Sequence, residues 1–99
     1  MSRPVRIIEV EPLGELSLRL TFSDGLVREL DLGPMLHGGV LEPLRDPVEF
    51  ARVFVDDLAG TVAWPNGIDL DPDVLHGDHG PATGQPLVVL REYVLRQTG

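Results

Sequence analysis

Two stretches of sequence decide the fold: Leu16–Phe22 (LSLRLTF) and Leu26–Leu32 (LVRELDL), which are separated by Ser23-Asp24-Gly25. In the first stretch apolar and polar side chains alternate, which is the pattern of a strand with one buried face. The second stretch is also rich in leucine and follows an Asp-Gly turn signal. The sequence therefore predicts a β-hairpin over residues 16–32.

The loop length sets the register of this hairpin. A two-residue loop would place leucines opposite acidic residues, whereas a three-residue loop places Leu18 opposite Leu30. Because cross-strand partners share a face, we predict the three-residue loop, with Gly25 in the left-handed position of a bulge. This register places Arg28 opposite Leu20, so the stem of Arg28 must cover the apolar face or lie near an edge.

The other elements are shorter. Strands are predicted at Val5–Val10, Val53–Asp56 and Thr61–Trp64, and Asp-Pro pairs at 46–47 and 71–72 predict two helix starts. A single helical turn is expected near residues 33–39, with irregular chain at 40–45. The predicted fold class is α+β, a mainly antiparallel sheet of about five short strands with two or three short helices on one side.

Three segments are predicted along the chain: an α+β domain at 4–76, a Gly/Pro-rich linker at 77–86 and an apolar C-terminal segment at 87–97. Apolar residues in the last segment approximate a helical stripe, so we expect a helix there, with a strand at 86–90 as the competing interpretation. This segment must dock either on its own domain or on a second subunit, which would make a homodimer through 87–96.

The charge is strongly acidic, with eight cationic and sixteen acidic residues and a net charge of −8. Residues 46–80 carry most of this net negative charge, with one Arg and eight acidic residues. Such a field repels nucleic acid and attracts a basic protein. Nucleic-acid binding would need a face shared by Arg6, Arg19 and Arg28. The chain has no cysteine and no apolar run of membrane-spanning length, so we expect a cytoplasmic protein without a membrane partner.

The chain resembles the bacterial domain-of-unknown-function 2442 (DUF2442) family over roughly residues 4–75. The matching strings are RIIEV at 6–10, LRLTFSDG at 18–25, VRELDL at 27–32, LRDPVEF at 44–50 and VAWPNGIDLDPDVL at 62–75. The resemblance implies a small α+β domain with no assigned catalytic activity. Some members carry a C-terminal helix-turn-helix, and others are encoded beside another small domain, as in toxin–antitoxin pairs.

The function predicted from these observations is a non-enzymatic protein-interaction module, antitoxin-like or regulatory, that binds a protein partner or a second copy of itself. No catalytic residue, metal ligand or cofactor is predicted. The predicted partner-binding residues are Trp64, Asn66, Asp69, Asp71, Asp73, Leu90, Tyr93 and Val94. Trp64 has two interpretations, an exposed aromatic anchor or a side chain that fills the core.

The alternative is a small hydrolase or a metal-dependent enzyme that uses the Asp69–His79 region. Alternating aspartates at 69, 71 and 73 resemble the start of a calcium loop, but Val74 and Gly80 stand where that loop needs Gly and Glu. His76 and His79 are candidate zinc ligands without an evident third ligand nearby.

Overall fold

A four-stranded antiparallel sheet dominates the computed structural model, which describes residues 5–37, 39–77 and 88–95. Strands in this part of the chain are β1 (Ile7–Gly14), β2 (Ser17–Phe22), β3 (Leu26–Asp31), β4 (Phe54–Asp56), β5 (Thr61–Ala63) and β6 (Val88–Val94). The large sheet has the order β1-β2-β3-β6, and β4 pairs with β5 in a separate sheet. The fold is therefore α+β, as predicted.

The helical elements are short: 3-10 helices at Gly33–Leu36 and Gly39–Arg45, and α-helices α1 (Pro47–Phe50) and α2 (Pro72–His76). Both predicted Asp-Pro helix starts are confirmed, because the Asp46 and Asp71 carboxylates each accept a hydrogen bond from the N–H two residues later. The stretch predicted to be irregular at 40–45 is part of the second 3-10 helix. No helix within the described ranges is long and apolar enough to cross a membrane.

The hairpin has the predicted register, which places the leucines of both strands on one buried face. Leu18 pairs with Leu30 and Leu20 pairs with Arg28, as the three-residue loop predicts. Gly25 has a φ of +91° and its N–H donates to the Phe22 carbonyl at 3.0 Å. The left-handed conformation that this loop needs is thus supplied by the residue that adopts it at least cost.

The core lies on one face of the large sheet. Leu18, Leu20, Phe22 and Leu30 are fully buried there, each worth roughly 2 kcal/mol of transfer free energy. The helices and the small sheet cover them with a second set of buried side chains: Leu36, Leu44, Phe50, Val62, Trp64 and Leu75. The opposite face is only partly covered among the described residues, because Thr21 and Val27 are buried there whereas Tyr93 is exposed.

The secondary structure of the C-terminal segment differs from the predicted helix. Within the described residues the expected helix is wrong: Val88–Val94 is a strand, β6, that pairs antiparallel with β3 of the same chain, and the competing strand interpretation agrees with it at 88–90. As a strand, the segment supplies backbone partners to the outer N–H and C=O groups of β3, which a helix could not do. Of the predicted linker at 77–86, only Gly77 lies within the described residues, where it ends α2 with a φ of +100°.

The first strand also extends beyond its predicted end. It was expected to finish before Pro12-Leu13-Gly14, but β1 continues to Gly14 and Pro12 pairs with Leu18. Because β1 is an outer strand of the sheet, a proline there does not have to remove a ladder hydrogen bond.

Arg28 joins three elements of the fold. Its side chain is largely buried on the core face of β3, and its guanidinium donates to the Leu75 carbonyl at 3.1 Å and to the Glu92 carboxylate at 2.8 Å. One side chain therefore links the hairpin to the last turn of α2 and to β6.

We expect Gly25→Ala to lower the free energy of unfolding by about 1–2 kcal/mol, since a Cβ is strained at this φ. Gly25→Asn is the matched control, because asparagine tolerates the left-handed region, and it should cost less. Urea denaturation monitored by Trp64 fluorescence measures both values. An alanine variant as stable as the wild type would contradict the bulge assignment.

We expect Arg28→Met to lower the free energy of unfolding by roughly 1.5–3 kcal/mol, because it keeps the buried stem but removes both charge-assisted hydrogen bonds. Amide exchange should accelerate in α2 and β6. Arg52→Met is the control, since the Arg52–Glu49 pair is largely exposed and longer at 3.6 Å. Unchanged exchange in β6 after Arg28→Met would show that Arg28 does not hold this strand.

Candidate interaction surface

The predicted partner-binding residues fall in two separate places. One group lies in the loop that follows β5 and at the start of α2, and the other lies on β6. The sheet does not bring the two groups together, so each is described separately.

The Trp-Pro-Asn-Gly string after β5 is structural. Trp64 is 1% exposed, packs against Phe50 and donates its indole N–H to the Phe50 carbonyl at 2.9 Å. The Asn66 side chain accepts the Ile68 N–H at 3.1 Å, and the Gly67 N–H donates to the Trp64 carbonyl at 3.0 Å. Trp64 is therefore a core residue and not a contact residue, and Asn66 holds the tight turn that follows it.

The aspartates after this turn also have local roles. Asp69 is exposed and its backbone bridges to Ala63, while Asp71 caps α2 and Asp73 lies half-buried in its first turn. No group of three or more metal-binding side chains occurs in the described parts of the chain. Residues 78 and 79, which belong to the proposed zinc and enzyme readings, lie outside those parts.

The β6 side chains face solvent. Leu90 is 55% exposed, Val94 is 64% exposed and Leu95, just after the strand, is 50% exposed. Singly exposed apolar residues are ordinary on protein surfaces, but a run of them on an outer strand is a recognised pairing hazard. This strand is the part of the predicted set that exposes apolar side chains, whereas the exposed Asn66, Asp69 and Asp71 are polar.

The backbone of β6 has one unpaired side among the described residues. The Leu95 N–H donates to the Gly25 carbonyl at 2.8 Å, so the backbone N–H of Leu95 is directed towards β3. Since N–H and C=O groups of successive strand residues point to alternate sides, those of Glu92 and Val94 are directed away from β3. A register shift between Glu29 and Leu30 leaves Leu90 as an extra residue beyond this regular stretch.

The charges on β6 are satisfied within the chain. Glu92 accepts from Arg28 at 2.8 Å, and the Arg91 guanidinium lies 5.1 Å from the centre of the Tyr93 ring. Charged side chains on an outer strand normally discourage pairing with another chain. Here Arg28 compensates the charge of Glu92, so Glu92 opposes an incoming strand less than a free carboxylate would, whereas Arg91 keeps its positive charge beside the Tyr93 ring.

The arginine face considered for nucleic acid does not form. Arg19 pairs with Glu29 across the hairpin on the outer face of the sheet and also contacts Glu11, whereas Arg28 pairs with Leu20 on the core face. Arg6 donates to the Asp57 carbonyl. Because Arg19 and Arg28 lie on opposite faces of the sheet, the hairpin presents no common basic surface.

A groove with a volume of about 630 Å³ lies on the outer face of the large sheet, opposite the core. Its lining includes Glu9, Glu11 and Arg19 together with two aromatic residues, Phe54 from β4 and Tyr93 from β6. Thr21 and Val27 are also among the lining residues. Of this set the sequence analysis named Tyr93 for protein contact and Arg19 for nucleic acid, since the meeting of β1, β4 and β6 depends on tertiary packing.

A second side-chain cluster connects the hairpin turn to α2. The His76 Nε2 lies 2.8 Å from the Asp24 carboxylate, and the His76 ring meets the edge of Phe22 at 4.9 Å between ring centres. Partial burial acts to raise the pKa of the Asp24 carboxyl, but hydrogen bonding to the Leu26 N–H and to His76 outweighs it and lowers the pKa below 3.8. The cluster therefore stabilises the ionised form of Asp24.

The depressed pKa predicts the acid stability of the fold. A carboxyl with a lower pKa in the folded state contributes stability above its unfolded pKa, and that contribution is lost as the pH falls through the folded pKa. The stability difference between wild type and Asp24→Asn should thus be full at pH 5 and shrink below about pH 4. Urea denaturation between pH 6 and pH 2 measures it. Asp57→Asn is the control for an exposed turn acid, and an equal pH dependence for the two variants would contradict the assignment.

These observations define a small α+β domain whose sequence signature is used for turns, caps and core packing. The profile of the DUF2442 family, described as protein of unknown function, matches residues 7–78, and the chain belongs to this family. No curated protein and no solved structure matches the chain. The family match ends before β6, so it does not include the candidate surface on that strand.

Proposed function

We propose that this domain is a non-enzymatic protein-interaction module that binds an extended segment of a partner protein along the free edge of β6. The observation that carries the proposal is an outer strand whose far edge has no backbone partner among the described residues and which exposes apolar side chains at Leu90, Val94 and Leu95. Strand addition uses such an edge, where main-chain hydrogen bonds provide affinity and alternate side chains provide specificity.

The charge of the chain favours a basic partner. With a net charge of −8, the domain attracts cationic surfaces at long range and accelerates their encounter. Sequestering a small basic protein in the bacterial cytoplasm would be an antitoxin-like or regulatory role. This version of the proposal rests on charge and on the gene pairing that the family resemblance implies.

The alternative of an enzyme around Asp69–His79 gains no support from the residues described there. Asp71 is committed to the cap of α2, and the Asp69 backbone takes part in a β-bridge. We therefore assign the function to the edge strand and not to the aspartates.

The test is site-specific photocrosslinking in cells that express the protein naturally, with a photoreactive side chain at position 90. A second probe at position 48, where Val48 is also highly exposed but lies on α1, reports non-specific contacts. We expect a discrete adduct from position 90 and none from position 48.

A matched pair of variants tests the strand-addition geometry. Val94→Pro removes an N–H that is directed away from β3, whereas Val94→Ala shortens the same side chain and keeps the N–H. The adduct should persist in the alanine variant and disappear in the proline variant, with both shown to be folded by circular dichroism. An adduct that survives Val94→Pro, or no adduct specific to position 90, would overturn the proposal.

A further inference from the structure

We infer that the groove between Phe54 and Tyr93, on the outer face of the large sheet, binds an arginine side chain presented by the partner protein. This inference deepens the proposed function, on which it rests for the existence of a protein partner. It adds the chemistry by which that partner is recognised.

The shape of the groove suits a long side chain with a flat, charged end. Its volume of about 630 Å³ is ample for one arginine, and its lining includes two aromatic residues, Phe54 and Tyr93, both of which are partly exposed. A guanidinium group stacks on aromatic faces and is more weakly hydrated than the ammonium of lysine.

The carboxylates of the groove supply the countercharge. Arg19 already contacts Glu11 at 2.6 Å and Glu29 at 3.2 Å, so this network of three side chains keeps one excess negative charge. Glu9 has no cationic partner among the described residues. The groove thus offers a net negative charge beside aromatic surface, and an arginine satisfies both.

Other occupants fit less well. An acidic side chain would be repelled by Glu9 and by the charge of the whole chain. A purely apolar side chain would remove water from Glu9 without replacing its hydrogen bonds, which costs free energy. A cation with a planar apolar face avoids both costs.

Tyr93 already shows the required interaction within the chain. Arg91 places its guanidinium 5.1 Å from the centre of the Tyr93 ring, yet Arg91 does not line the groove. The ring therefore accepts a cation, and the arginine proposed here approaches it from the groove, on the side that Arg91 does not occupy, because two guanidinium groups on one face would repel each other.

The test uses the purified protein and N-acetyl-arginine amide, followed by ¹H–¹⁵N correlation spectra. We expect saturable shifts confined to the amides around the groove, including Thr21, Val27 and Tyr93. N-acetyl-citrulline amide, which has nearly the same shape without the charge, should bind about fivefold more weakly or not at all. Equal binding of the two probes, or shifts spread over the acidic surface, would overturn the inference.

Variants locate the site and separate this inference from the proposed function. Glu9→Gln should weaken binding of the arginine probe about fivefold, while Glu42→Gln, an equal charge change on an exposed residue outside the groove, should leave it unchanged. Equal effects of the two variants would show a general charge effect and overturn the inference. If the crosslink from position 90 still depends on the Val94 N–H while the arginine probe fails, the groove assignment alone is wrong.

Discussion

The structure depends on the pairing of Leu18 with Leu30 across the hairpin. A one-residue slip would turn every leucine of these strands to the opposite face, so the register and the core are a single choice. Gly25 allows the loop that matches this register, because it adopts a φ of +91° with little strain. The helices and the small sheet then pack against the face that this register makes apolar.

The hairpin register also determines which parts of the sheet remain exposed. The face opposite the core keeps a polar network around Arg19 and an open groove. At the side of the sheet, β6 completes β3 but leaves its own far edge unpaired in the described structure. The candidate interaction surfaces are therefore the parts of the sheet that folding does not use.

The most distinctive residues of the sequence turn out to have structural roles. Trp64 fills the core, Asn66 holds a turn and Asp71 caps a helix. Each role is local and could be anticipated from residue type, since tryptophan favours burial while asparagine and aspartate bond to nearby backbone N–H groups. The residues predicted on β6 remain exposed, although their secondary structure was predicted incorrectly.

The sequence by itself determined the hairpin, its register and the two Asp-Pro helix starts, because each follows from neighbours within a few positions of one another. Only the tertiary structure decided that residues 88–94 form a strand, since their apolar spacing suits either conformation and the unpaired edge of β3 selects between them. The groove was equally hidden, because it joins side chains from β1, β4 and β6, whose proximity is set by tertiary packing and not by spacing along the chain.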